Sequence, residues 1–102
     1  MVQAKGYSVK VLFFWLNSPE LALQRVAERV AKGGHNIPEP VVRRRYVAGI
    51  RNFFRLFMSE VDYWDIYDNS GYPAIQVASG GKDEETIIKE DSVFIKMKSY
   101  VK

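Results

Sequence analysis

Apolar residues run without interruption near the start of the chain. Residues 11–16 are all apolar, within a segment rich in Val, Phe and Trp, and they predict a first strand over residues 8–16. A continuously apolar strand is typical of one covered on both faces in a parallel α/β sheet. We therefore expect this strand to have a neighbour on either side. Gly6, just before it, predicts the end of a preceding element.

Two helical patterns follow this strand. Ser18 can cap a helix and Pro19 suits its first position, so a helix is predicted over residues 19–31. The pair Gly33 and Gly34 ends it. After a loop with two prolines, apolar residues at helical spacing predict a second helix over residues 39–60. The side chains predicted to face the core are those of Val42, Tyr46, Ile50, Phe53 and Phe57, with Gly49 on the same side.

The second half of the chain predicts two further strands, over residues 63–68 and 73–78, separated by a turn at residues 68–71. Pro73 at the start of the third strand indicates an edge position. Gly80 and Gly81 predict a turn, Asp83 a short helical stretch, and Asp91 or Ser92 the start of a last helix. That helix would bury Val93, Phe94, Met97 and Val101. We therefore expect one α/β domain over residues 1–102.

Charge is distributed unevenly along the chain. The net charge is only +3, but residues 25–55 hold eight Lys or Arg against two acids. Residues 58–91 hold nine acids against two lysines. Guanidinium groups are planar, permanently charged donors suited to phosphate oxygens. Arg43, Arg44 and Arg45 fall in the first turns of the second helix, where cations oppose the helix dipole, so we infer that they serve an anion.

Periodicity does not decide which of these side chains would reach a ligand. Arg29 with one or two of Arg43, Arg44 and Arg45 forms the candidate anion site, and a solvated basic face on two helices is the alternative. His35 would bond a ligand or simply hold its loop. Nucleic-acid binding is disfavoured because the aromatic residues follow core periods instead of forming a stacking platform.

Other classes of site and location are disfavoured by composition. The chain has no cysteine and a single histidine, so we expect no metal site. The longest apolar run is too short to span a bilayer, and the polar start is unlike a signal peptide, so we expect a cytoplasmic protein without a membrane partner. The phosphate-binding motif G-x-x-x-x-G-K-[ST] is absent, since Gly81 and Lys82 are followed by Asp83.

Five segments together resemble the zeta toxin family of P-loop kinases, in a bacterial branch related to those toxins. The segments are Leu16-x-Ser18-x-Glu20-Leu21-Ala22, Arg25-Val26-Ala27-x-Arg29-Val30-x-x-Gly33-Gly34-His35-x-Ile37-Pro38, Val42-Arg43-Arg44-Arg45-Tyr46, Asn52-Phe53-Phe54 and Tyr67-Asp68-Asn69-Ser70. The resemblance covers about residues 6–80 and corresponds to the C-terminal half of the family.

The resemblance implies a partial three-layer P-loop-kinase-like fold with a parallel sheet, ATP and magnesium as cofactors, and arginines on lid helices that stabilise the transferred phosphoryl group. Arg29, Arg44 and Arg45 occupy the segments of the catalytic arginines. Arg43, His35 and Asn69 would bind the nucleotide, with Asn69 in the loop near its base.

The family's phosphate loop, lysine, magnesium-binding hydroxyl and catalytic carboxylate all precede the segment that this chain resembles. Phosphoryl transfer depends on those groups. We therefore expect the lid-bearing C-terminal portion of a kinase, inactive alone. Its partners would be a nucleoside triphosphate and either an N-terminal half or a second copy, joined at the free edge of the first strand. The alternative is a non-catalytic anion-binding or protein-interaction module.

Overall fold

A computed structural model of the protein describes residues 8–101. They form β1 (Lys10–Trp15), α1 (Pro19–Ala31), α2 (Glu39–Asn52), a π-helical turn (Phe53–Phe57), β2 (Tyr63–Asp68), β3 (Ile75–Gly81), β4 (Glu84–Ile88) and α3 (Asp91–Lys98). The predicted α/β class is confirmed, with four strands where about three were expected. The predicted element end at Gly6 lies outside the described residues.

The sheet has the order β1-β2-β3-β4, with β1 parallel to β2 and the other pairs antiparallel. The expectation that β1 has a strand on either side is wrong for residues 8–101, because β1 lies at one edge. The edge position predicted for β3 is also wrong, since β3 lies between β2 and β4. Pro73 precedes the first paired residue, Ile75, so its missing N–H costs no hydrogen bond of the ladder.

The segment that begins at Asp83 is a strand and not the predicted helix. Lys82 and Asp83 form a tight turn, and β4 folds back along β3, with Ile87 opposite Ser79 and Ile88 opposite Ala78. The acidic residues resemble a helix start, but the β-branched residues that follow suit an antiparallel pairing. The antiparallel pairing of β4 with β3 therefore overrides the local helical pattern.

The two faces of the sheet differ. On one face, Phe53 of the π-helical turn packs against Phe13 and Trp64, with ring centroids 5.1 and 5.5 Å apart. Phe53, Trp64 and Ile66 are each at most 1% exposed. On the other face, here called the open face, Leu12 and Phe14 are 50% and 53% exposed. The prediction that β1 is covered on both faces is therefore wrong within the described chain.

The second helix is shorter than predicted, because its last residues form the π-helical turn. The amide of Met58 donates to the carbonyl of Phe53, five residues earlier, at 2.9 Å. Such a turn adds one residue to the helical repeat. Phe57, predicted to face the core, is 44% exposed, and Met58 packs against the core instead.

The ends of α1 follow the sequence signals. The Ser18 hydroxyl accepts a hydrogen bond from the Leu21 amide at 3.1 Å, and Gly33 takes a φ of 95° that favours glycine. In α3, Phe94 and Met97 are buried as predicted. No helix within residues 8–101 has both the length and the apolar character needed to cross a bilayer.

Candidate anion-binding site

The helices α1 and α2, here called the hairpin, are fixed to the carboxyl ends of β1 and β2. The Tyr46 hydroxyl on α2 donates to the carbonyl of Leu16, just after β1, at 2.6 Å. On α1, the Arg25 Nη2 donates to the carbonyls of Asn69 and Ser70, just after β2, at 3.0 and 3.2 Å. Residues between these two anchors therefore have defined positions at the end of the sheet.

A cleft of about 300 Å³ lies between the two helices, and we call it the hairpin cleft. Arg29 from α1 and Arg45 from α2 both line it, together with the anchored Arg25. The rest of its wall is mainly apolar and comes from Leu16, Ala22, Val26, Ile37, Val42 and Tyr46. The fold thus brings two of the arginines predicted as catalytic into one space.

The guanidinium groups of Arg29 and Arg45 make no hydrogen bond or ion pair with any side chain or backbone group of residues 8–101. Both side chains are exposed. Arg25 differs, since it bonds two carbonyls and lies 3.9 Å from a Glu28 carboxylate oxygen. Two unpaired cations on facing helices leave several N–H donors available to an anion.

A second cleft, of about 330 Å³, adjoins the first at the carboxyl ends of β1 and β2, and we call it the strand-end cleft. Arg29 lines both clefts. In the strand-end cleft it is joined by Lys32, by Asn69 and by Phe14 of the open face. The structure therefore brings Asn69 together with Arg29, as the predicted site requires, while the proposed contact of Asn69 with a nucleotide stays a prediction.

Arg43 has carboxylate partners on both helices. Its Nε donates to Glu39 at 2.9 Å and its Nη1 to Glu20 at 2.8 Å. These hydrogen bonds raise the pKa of Arg43, and the one to Glu20 lowers the pKa of that carboxyl. Because its donors are occupied, Arg43 acts here as a tie between α1 and α2, and its predicted nucleotide-binding role stays a prediction.

Arg44 and His35 lie outside the hairpin cleft. Both side chains are exposed, and neither is among the residues that line that cleft. Periodicity does not decide which of Arg44 and Arg45 reaches a ligand, whereas in the structure Arg45 lines the cleft and Arg44 does not. The predicted roles of Arg44 and His35 in binding or transfer stay predictions.

Sequence reasoning missed how two residues support the site. The spacing of Arg25 and Arg29 signalled a shared helix face, but nothing in the sequence indicated that Arg25 clamps the loop after β2. Tyr46 was assigned to the core, and it is partly buried there. Its hydroxyl bond to Leu16 depends on the crossing of α2 over the end of β1, which the sequence pattern does not reveal.

The resemblance implies magnesium, but residues 8–101 contain no evident magnesium-binding site. Among residues 8–101, His, Asp and Glu side chains form no group of three or more that could hold a metal ion. The guanidinium groups that line the hairpin cleft can donate to phosphate oxygens, but none of the residues lining it is a carboxylate, so the cleft does not fit magnesium.

Protein-family models, curated proteins and solved structures were all compared with this chain, and none of them matches.

Proposed function

We propose that the hairpin cleft binds the phosphates of a nucleoside triphosphate, and that the chain is the lid-bearing portion of a zeta-toxin-like ATP-dependent kinase. One observation carries the anion site: Arg29 and Arg45 line one cleft from two different helices, without a partner among residues 8–101. The kinase assignment rests on the sequence resemblance, and a P-loop-kinase-like arrangement of the sheet is part of this proposal.

The chemistry of the cleft suits a polyphosphate. Each guanidinium can donate two parallel hydrogen bonds to phosphate oxygens, and charge-assisted bonds of this kind are roughly twice as strong as neutral ones. The mainly apolar wall supplies no carboxylate to compete with a bound anion for these donors. The bond from Tyr46 to Leu16 fixes α2 relative to the end of β1, which keeps the backbone of Arg45 beside the cleft that Arg29 also lines.

In phosphoryl transfer, this chain would neutralise charge that develops on the phosphates. The reaction also needs groups that position the nucleotide, its metal and the acceptor. Because the magnesium ligands do not fit the described residues, we assign no step to the metal here. We expect binding without turnover when this chain is tested alone.

Titration of the chain with ATP, followed by calorimetry at low and high salt, tests the proposal. We expect weak binding that falls steeply with salt. Arg29→Ala and Arg45→Ala should each weaken it by about tenfold, the effect of losing a charged hydrogen bond. Arg44→Ala is the matched control, because it removes the same charge from the neighbouring position outside the cleft, and it should leave the affinity unchanged.

A second candidate, a non-catalytic anion-binding module, is supported by the same cleft, because Arg29 and Arg45 can donate to any anion of suitable size and the rest of the wall is mainly apolar. Inorganic tripolyphosphate separates the two. A nucleotide site should prefer ATP over tripolyphosphate, whereas a general anion site should bind both alike. Equal losses for Arg44→Ala and Arg45→Ala would contradict both candidates and indicate a diffuse basic surface.

A further inference from the structure

The outer edge of β1 has unpaired backbone groups. Within residues 8–101, β1 is bonded to a strand on one side only. The carbonyls of Val9 and Trp15 accept hydrogen bonds from the β2 side, at 3.2 and 2.7 Å. Because the bonding direction alternates along a strand, the amides and carbonyls of Lys10, Leu12 and Phe14 point away from β2.

The free edge of β1 ends before Leu16, and this end determines which residue lies at its middle. The carbonyl of Leu16, next in the same alternation, already accepts the Tyr46 hydroxyl at 2.6 Å. The free edge therefore covers residues 10–14, and its middle residue is Leu12.

The edge also lacks the proline and the bulges that often prevent pairing between molecules. The register of β1 with β2 is continuous, and its one charged residue, Lys10, lies 3.3 Å from an Asp65 carboxylate oxygen. The opposite edge, β4, begins with Glu84 and Glu85, and its register with β3 shifts. Two copies paired at β4 would bring four carboxylates to one edge, whereas pairing at β1 brings none.

We propose that two copies of this chain pair through β1, antiparallel, about a two-fold axis at Leu12. In this register Leu12 faces Leu12 of the second copy, and Lys10 faces Phe14, so that each pair exchanges the backbone hydrogen bonds that the edge leaves open. On the helix-covered face, Val11 of one copy faces Phe13 of the other. The eight strands then form one continuous sheet.

A second copy suits this edge because the strand complements itself. No two like charges face each other in the register, and the half-exposed Leu12 and Phe14 gain partners on the open face. On the other face, a cleft of about 190 Å³ between β1 and α2, lined in part by Phe13, Gly49 and Ile50, leaves room for the facing side chains. Two-fold pairing closes on itself and stops at a dimer.

Sedimentation equilibrium of the whole chain over a range of concentrations tests this proposal. A small interface of this kind should give a monomer–dimer equilibrium with a dissociation constant of roughly 1–100 μM. Leu12→Lys and Leu12→Glu should each weaken the dimer by about tenfold or more, since like charges then meet on the axis. Mixing the two variants should restore a dimer. If residue 12 lies on the two-fold axis, a mixed dimer places the introduced Lys of one copy opposite the introduced Glu of the other.

Ile87→Lys is the matched control, since Ile87 is 52% exposed but lies in β4, and its dimer should be as strong as that of the unmodified chain. Hydrogen exchange of the unmodified chain gives a second measure, in which the Leu12 and Phe14 amides become protected as concentration rises. That measure decides the matter if a Leu12 variant does not fold. A chain that stays monomeric, open-ended oligomers, a mixture that stays monomeric, or equal loss in Ile87→Lys would each overturn the proposal.

Discussion

The sheet core and the hairpin are stabilised by different kinds of interaction. In the core, Trp64, Ile66, Val77 and Phe53 are each at most 1% exposed. In the hairpin, Val26 and Val42 are buried, Ile50 belongs to the core cluster, and most of the arginines lie at the surface. Shape complementarity therefore governs the core, while charge and a few specific hydrogen bonds govern the hairpin. Mutations should accordingly act through packing in one region and through polar contacts in the other.

The largest effect should come from filling the space beside Trp64. A Cβ added at Gly80 would lie 2.6 Å from the Trp64 Cζ2, and the indole is too deeply buried to move aside. We expect Gly80→Ala to lower the free energy of unfolding by about 1–3 kcal/mol, the usual cost of overpacking a core. Chemical denaturation monitored by tryptophan fluorescence measures the loss.

Gly71→Ala is the matched control, because a Cβ there meets no atom within 4 Å. It should leave stability unchanged or raise it slightly. Adding Trp64→Phe to Gly80→Ala should recover part of the loss caused by Gly80→Ala, since the smaller ring vacates the space that the new methyl needs. Strict additivity of the two substitutions would show that Gly80 acts through its backbone and not through this contact.

A smaller effect is expected where the hairpin joins the sheet. Tyr46→Phe removes the hydrogen bond to the Leu16 carbonyl but keeps the ring that packs against Tyr100, at a centroid distance of 5.6 Å. The expected loss is about 1 kcal/mol in the free energy of unfolding. Tyr72→Phe removes the same hydroxyl from a fully exposed ring and should cost nothing measurable.

Tyr46→Phe should also change how the free energy of unfolding varies at alkaline pH. Burial raises the pKa of Tyr46, and the neighbouring Tyr100 adds to the shift. The unfolded chain therefore releases this proton first, so the stabilisation is complete below about pH 10 and declines as pH rises further. The stability difference between the unmodified chain and Tyr46→Phe should shrink above that pH. A difference that stays constant to pH 11 would show that the hydroxyl is not what holds the hairpin.

The parts of the fold that could be predicted are those set by local signals. Ser18 and Gly33 fix the ends of α1 through capping and a left-handed turn, and these signals operate within a few residues. β4 was missed because its acidic start favours a helix locally, while pairing with β3 decides its structure. The exposure of Phe57 was missed because a π-helical turn shifts the helical repeat, and apolar spacing alone does not reveal such a turn.

The sequence predicts that arginines form the site, but it does not predict which arginines face the cleft. Arginines at helical spacing indicated an anion site, yet the same residue type also holds the fold together. Arg25 clamps a loop, Arg43 joins two helices, and Arg51 bonds the carbonyl of Tyr100 at 2.8 Å. Tertiary contacts of both helices separate these arginines from Arg29 and Arg45, and helical spacing does not reveal those contacts. A basic stretch of sequence therefore overstates the number of cations that are available to a ligand.

The smallest effect is expected for Arg43→Gln, which breaks the bonds to Glu20 and Glu39 on the hairpin surface. Both pairs are exposed and screened by salt, so the destabilisation should be smaller than that of Tyr46→Phe and should fade as salt is added. Arg43 lowers the pKa of Glu20, so the contribution is present above the ordinary glutamate pKa and is lost as pH falls through the lowered value. Urea denaturation at pH 7 and at pH 3, in low and high salt, measures both trends.

Arg44→Gln, one residue away without a carboxylate partner in residues 8–101, should show neither trend. A loss for Arg43→Gln that ignores both salt and pH would mean that the stem of the side chain packs the helices together, and the hairpin would then resemble the core more closely than its charges indicate.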